Sequence, residues 1–365
     1  MIADKGLYIH IPFCFKKCNY CNFSSFPISK VKPDIDSYLK ILKSEIENYS
    51  GNKVNTVYIG GGTPSLLKVK HVESIIQSIN DNFIIDKLDE FTIEINPYNF
   101  NIEYIESLKN IGIDRFSFGF QSFDNEKLQK LGRLHRKCDL EEIKKYRKRI
   151  GNLSLDLIFG LKKDYKSIEK ELENLLEFKP DHLSIYNLKV EKNTPLFNML
   201  ENNKINLDSD ENQSKTYRLI NNYLSSKGFN HYEISNYSKK GKESKHNLKY
   251  WNFKDYIGIG LAASGYLNNV LYTNYDSFEN YKTGKYKKLE QIIDEKQKRY
   301  YKIMMGLRLK KGVKLKDKEY DIIKNFLKNK KLEKYFILNN KELAIKEKHF
   351  FISNSLIGKI VNKLF

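Results

Sequence analysis

Cysteine is scarce: the chain holds four in 365 residues, too few for the disulfide framework that holds small secreted domains together. No apolar run approaches the ~18 residues that a membrane span needs, so a protein integral to the membrane is not expected. The opening Met1-Ile2-Ala3-Asp4-Lys5 lacks the apolar segment of a signal peptide, and the reading is of a chain in the reducing cytoplasm. No Gly-Lys-Ser or Gly-Lys-Thr follows the glycines at 60–62, which disfavours a nucleotide P-loop. A concentrated basic tail is missing too. The net charge of +19 comes from lysines spread along the whole sequence, and a general compositional bias explains it at least as well as nucleic-acid binding does. No nucleic-acid partner is expected. What is present suffices for a core: 40% hydrophobic residues fit one large α/β domain with one or two smaller units.

Three of the four cysteines, Cys14, Cys18 and Cys21, fall within eight residues. Thiolates spaced C-x-x-x-C-x-x-C can bind three irons of a cubic 4Fe-4S cluster and leave the fourth without a protein ligand. An open iron can chelate a small molecule, so such a site is reactive. Structural zinc is the competing reading, but it wants four ligands, and the nearest extra candidate, His10, precedes the loop on what reads as a strand.

Around this loop the chain alternates. Gly6 to Ile11 reads as a strand ended by Pro12, and Asp34 to Asn48 as a helix beginning behind Pro33. Strands follow at Val54 to Ile59, Phe91 to Ile95, Arg115 to Phe120, Leu153 to Ile158 and His182 to Tyr186. Helices are expected between them, around 69–79, 104–111, 140–150 and 165–177. Six strands alternating with helices predict a parallel barrel or part of one, whose active site gathers at the carboxyl ends of the strands. Each end carries something chemical: Gly60-Gly61-Gly62-Thr63, Glu94-Ile95-Asn96-Pro97, Gln121-Ser122-Phe123 with Leu131 to His135, and Asp156. Further on, Asp208 to Lys227 reads as a helix ended by Gly228. A helix is expected from about Leu289, a hairpin from Phe336 to Ile345 and a terminal helix from Ser353 to Leu364. Cys138, outside every motif, reads as a structural thiol.

The spacing C-x-x-x-C-x-aromatic-C, with Tyr20 in the aromatic slot, resembles the hallmark of radical S-adenosylmethionine (SAM) proteins. The similarity extends over Tyr8 to Cys14, Gly60 to Ser65, Glu94 to Pro97, Gly119 to Phe123, Leu131 to His135, Tyr232 to Tyr237 and His246-Asn247-Leu248-Lys249-Tyr250-Trp251. Such an ordered set is similar to the oxygen-independent coproporphyrinogen III oxidase-like branch, closest to its haem chaperones. The resemblance implies an α/β fold: an incomplete (β/α)6 TIM-like barrel with a small C-terminal α+β domain of winged-helix type. The expected divisions are 1–200 for the barrel, 201–288 for a family-specific extension and 289–365 for the C-terminal domain.

The same resemblance implies cofactors and roles. Cys14, Cys18 and Cys21 would hold a 4Fe-4S cluster, and one electron from it would cleave SAM to a deoxyadenosyl radical. Tyr8, Tyr20, Gly61, Gly62, Thr63, Glu94, Gln121, Arg133 and Asp156 would bind SAM or a second ligand of its size. On its residues alone His246 reads as a core or capping histidine; the resemblance ties His246, Tyr250 and Trp251 to haem. Two departures are visible: Lys162 stands where relatives carry proline, and Ser264 where many carry histidine. A haem chaperone and a coproporphyrinogen oxidase in porphyrin biosynthesis are the two implied functions. Phe23 in place of a further cysteine, and only thirteen residues before Cys14, point to the chaperone, to which a basic surface would also suit the haem propionates. Its expected partners are haem, an acceptor protein and a reductant for the cluster, with a homodimer left open.

Overall fold

A computed structural model describes residues 5–30 and 34–365; Pro33 and the opening residues 1–4 lie outside them. Among the described residues, twelve strands form one sheet: β1 Lys5–Ile11, β2 Val54–Gly61, β3 Glu90–Ile95, β4 Arg115–Gln121, β5 Asn152–Phe159, β6 His182–Asn187, β7 Asn230–Glu233, β8 Asn236–Ser238, β9 Tyr256–Ile259, β10 Ser264–Leu267, β11 Val270–Asn274 and β12 Lys287–Ile292. Their order is β12-β11-β10-β9-β1-β2-β3-β4-β5-β6-β8-β7. The run from β1 to β6 is parallel throughout, so all six carboxyl ends share one end of the sheet. β9 adds a seventh parallel strand beside β1. The remaining pairings are antiparallel, and the order does not close on itself.

Period-two alternation sets the faces. In β1, Leu7, Ile9 and Ile11 are fully buried in the main core, while Tyr8 and His10 between them take the other face. The helix Ile35–Glu47 buries Tyr38, Leu39, Leu42 and Ile46, and the Asp34 side chain caps it by accepting from Ser37 N. Its buried Glu45 accepts from Gly260 N, Asn274 Nδ2 and the Tyr281 hydroxyl. One carboxylate thereby ties the first helix to β9 and β11, and burial pushes its pKa up to about 7.

Three expectations are corrected. The segment from Leu289 begins as a strand: β12 pairs antiparallel with β11, and the helix starts only at Glu295, where Asp294 and Gln297 form a reciprocal cap. The expected boundary at 288/289 therefore falls inside β12. The helix expected over 140–150 is two, Lys137–Lys145 and Arg147–Ile150, broken at Tyr146. Cys138 is exposed rather than a packed structural thiol. Beyond residue 294 the chain forms three longer helices, the last Ser353–Leu364, and a three-stranded sheet whose hairpin turns at Asn340-Lys341, both in the left-handed region.

Candidate SAM and cluster site

The loop after β1 is pinned from several sides. Phe13 and Cys14 pair in parallel with Phe26 and Pro27, closing it. Inside it, His10 Nε2 bonds the Ser24 carbonyl at 3.0 Å, and His10 Nδ1 bonds the Tyr8 hydroxyl at 2.9 Å. Asn19 N donates to Leu131 O at 2.9 Å and Asn19 Nδ2 to Lys130 O at 2.9 Å, while Leu196 N donates to Asn19 O. The glycine turn after β2 joins from the other side: Gly62 N donates to Ile11 O and Thr63 N to Phe13 O, at 2.8 and 2.7 Å. Gly61 has φ +114°, and a Cβ there would meet the His10 ring at 2.6 Å. At Gly62 a Cβ would lie 2.6 Å from Phe13 O and 3.1 Å from Cys14 Sγ. Bare backbone is needed at both places.

A cavity of about 360 Å³ opens at this end of the sheet. Its lining brings together Cys14, Cys18, Cys21, Tyr20, Gly61, Gly62, Thr63, Glu94, Gln121, Arg133 and Asp156, the expected cluster and SAM residues except Tyr8, which stands behind His10 as its hydrogen-bond partner. The thiols are supported: Thr63 Oγ1 donates to Cys14 Sγ at 3.5 Å, Arg133 Nη1 to Cys18 Sγ at 3.4 Å, and Cys21 Sγ lies 3.7 Å from Ser25 Oγ. Burial pushes the Cys14 and Cys21 thiols up. Among the described residues no three His, Cys, Asp or Glu side chains converge on a single-ion site. A cubic cluster asks each thiolate for a different iron.

The polar groups facing the cavity are only partly satisfied. Glu94 accepts from the Tyr58 hydroxyl at 2.9 Å and Gly61 N at 3.0 Å, and burial pushes it up to about 7. Burial likewise raises Asp156 to about 6; Ser117 Oγ lies 3.4 Å away. Arg133 Nη2 donates to Gly119 O at 2.7 Å and Asn96 Oδ1 at 3.3 Å, yet its buried Nε has no partner. Gln121 stands in the left-handed region at φ +66°, with its buried Oε1 unpaired. Strain and orphaned polar atoms at one place mark a site shaped for a polar ligand rather than for the fold. Carboxylates suit ribose hydroxyls, and an amide and a guanidinium suit an amino-acid carboxylate. The residues present therefore fit both a cluster and SAM.

Some cavity residues were missed in the sequence: Arg115, Ser117, Tyr58, Ser184, Tyr186 and Asn247 also line it. The signal was available, since Arg115, Ser117, Gly119 and Gln121 are alternate residues of one strand. Conversely, His246, Tyr250 and Trp251 are not among the lining residues. The helix Lys245–Trp251 packs at the amino-terminal end of the sheet, where His246 meets Gly6 of β1 and Thr56 of β2. His246 is fully buried; its Nδ1 bonds Thr56 Oγ1 at 3.0 Å and its Nε2 the Tyr250 hydroxyl at 2.7 Å. Burial lowers its pKa to about 3, so it is neutral, and both ring nitrogens are engaged. His246 and Tyr250 meet each other on this helix, away from the thiols that line the cavity. Lys162 N donates to Asn206 O at 2.9 Å, a bond that a proline at this position could not make. Ser264 bonds Thr273 Oγ1 across β10 and β11.

Comparison with known proteins agrees with this geometry. Residues 8–178 match the radical SAM superfamily model. The heme chaperone HemW of Lactococcus lactis is 35% identical over 312 residues, covering 84% of this chain and 82% of the relative. HemW of Bacillus subtilis is 33% identical, covering 85% and 84%. The solved structure of Escherichia coli coproporphyrinogen III oxidase, HemN, a radical SAM enzyme, superposes with a TM-score of 0.83 at 19% identity, covering 99% of this chain and 91% of that one; at that identity the likeness shows the fold. By sequence, fold and the grouping of three thiols with the glycine turn, the chain belongs to the HemW family of radical SAM proteins.

Proposed function

We propose that this chain is a haem chaperone, holding haem and passing it to an acceptor protein, with a 4Fe-4S cluster on Cys14, Cys18 and Cys21 and SAM beside it. The observation that carries the cofactor half is the single cavity shared by the three thiols, the Gly61-Gly62-Thr63 turn and the unpaired Gln121 and Arg133 atoms. The haem half is supported by relatives named heme chaperones over most of the chain. When bound, the cluster supplies a reducing equivalent and an iron corner for chelation.

The chain's own residues then have distinct tasks. Gly61 and Gly62 admit a ligand against bare backbone, Glu94 and Asp156 offer acceptors to hydroxyls, and Gln121 with Arg133 offers an amide and a guanidinium to a carboxylate. Arg133, bonded to both Cys18 Sγ and Gly119 O, couples the cysteine loop to the SAM side of the cavity. A reductant for the cluster and a cytoplasmic setting belong to the same reading; no helix among the described residues is long and apolar enough to cross a membrane. We also propose that residues 201–288 act with the barrel as one unit, since their strands extend both edges of its sheet.

Anaerobic reconstitution followed by parallel assays of haem uptake, deoxyadenosine release and coproporphyrinogen III decarboxylation tests the proposal. Haem uptake with no decarboxylation is expected. Robust turnover of coproporphyrinogen III would overturn the chaperone reading in favour of the oxidase.

A further inference from the structure

We propose that Tyr58 is a positioning residue, whose hydroxyl fixes the Glu94 carboxylate in the orientation that receives the ribose of SAM; this rests on the SAM half of the reading above.

Alternate residues on one face of β2 climb from the base of the sheet to its mouth. Thr56 bonds His246 Nδ1 at 3.0 Å, Tyr58 follows, and Gly60 opens the glycine turn. The Tyr58 ring is held by ring neighbours, with centroids 5.3 Å from His246 and 6.2 Å from Tyr8. A packed ring leaves its hydroxyl little freedom, and here it donates to Glu94 Oε1 at 2.9 Å. Gly61 N donates to the other oxygen, Oε2, at 3.0 Å. One donor on each oxygen sets the plane of the carboxylate and leaves a further lone pair on both for ligand hydroxyls. Room for the pair comes from Gly60, where a Cβ would lie 2.8 Å from Tyr58 Cε1 and 2.9 Å from Glu94 Oε1. The first glycine of the triplet therefore serves the tyrosine and glutamate, a task separate from those of Gly61 and Gly62.

The same bond bears on charge. Burial pushes Glu94 up to about 7, so its proton is in play near neutrality, and donors on both oxygens favour the carboxylate form. Asp156 opposes that form and Arg115 favours it; Tyr8, Tyr186 and Tyr250 face Glu94 as well. All of these stay in place in Tyr58→Phe, which removes the hydroxyl and keeps the ring.

SAM titration of the full-length, cluster-reconstituted chain across the neutral pH range, with iron content measured alongside, tests this. Tyr58→Phe should weaken SAM about fivefold or more at neutral pH with iron unchanged. It should also move the midpoint of the affinity profile to higher pH, because a carboxylate that loses a donor is easier to protonate. In a Glu94→Ala background, Tyr58→Phe should change SAM affinity by less than about twofold, since the residue acts through Glu94. Wild-type affinity with an unshifted profile in Tyr58→Phe overturns the positioning role and leaves the SAM reading intact. So does a loss of the same size with or without Glu94, or one that follows a fall in iron content. Wild-type chain that binds no SAM overturns the SAM reading, and the role of Tyr58 with it.

Discussion

The two ends of the sheet are built from the same polar residue types and differ in how those groups are paired, although the base too keeps unpaired buried atoms at Trp251 Nε1 and Arg115 Nε. At the amino-terminal base, Glu90 accepts from Thr92 Oγ1, Ser244 Oγ, Lys245 N and His246 N. His182 bonds Ser154 Oγ and the Tyr232 hydroxyl, both at 2.8 Å, and His246 has both nitrogens engaged. At the carboxyl-terminal mouth, Gln121 Oε1 and Arg133 Nε are buried without partners and three thiols face one cavity. Paired groups fix structure, whereas unpaired ones that face a cavity are open to a ligand. Residue type does not separate a structural histidine from a functional one, but the inventory of its partners does.

This contrast can be broken at either end. The largest effect should come from replacing Cys14, Cys18 or Cys21 with serine: iron incorporation and SAM binding are lost, as measured by iron analysis and ligand titration, while the melting temperature of the metal-free chain changes little. Next, Glu90→Ala removes the acceptor for four donors at the base and should cost roughly 3 kcal/mol of stability, read by denaturant melts. Its SAM affinity in the folded fraction should be unchanged; a selective loss of SAM binding would erase the distinction. At the mouth, Gln121→Ala should do the reverse, weakening SAM about tenfold or more with a stability change under about 1 kcal/mol.

Individual groups at the two ends should also answer pH with opposite signs. Burial raises Glu94 to about 7 and Asp156 to about 6, so the ligand-free folded chain binds their protons more tightly than the unfolded chain. Their contribution is full below about 4 and is lost as pH rises through about 6 to 7. Burial lowers His246 from 6.5 to about 3, so its contribution is full above about 6.5 and is lost as pH falls toward 3. Glu94→Gln should therefore flatten the alkaline side of a stability profile by roughly 1–3 kcal/mol and leave the acid side alone. The smallest effect is expected of Cys138→Ser: this thiol is exposed, so stability should stay within about 0.5 kcal/mol and iron content should not change.

Much of the mouth was legible in the sequence because its parts are local. The cysteine spacing, the glycine turn and the strand-end Glu94, Gln121 and Asp156 each sit beside a strand whose β-branched or aromatic run is plain. The alternate positions Arg115, Ser117 and Ser184 were passed over because a strand's inward face carries no motif. The base was illegible for a different reason: Lys245–Trp251 lies far along the chain from the strands it plugs, and no local pattern says which end of a sheet a distant helix will meet. β12 was misread because Lys-Lys-Leu-Glu-Gln-Ile runs into an amphipathic helix with little alternation of its own. Only its pairing with Val270–Asn274 makes it a strand.

That last strand has a practical consequence. β12 ends the sheet with one side unpaired, and Leu289 and Ile292 are 62% and 80% exposed. An open edge is a template for another chain's backbone, and like-charged lysines discourage such growth. Here Lys287 and Lys288 stand on the edge, paired with Glu290 and Asp276, so acetylating them would free those carboxylates and remove two cations from an edge that contributes nothing to the cavity lining.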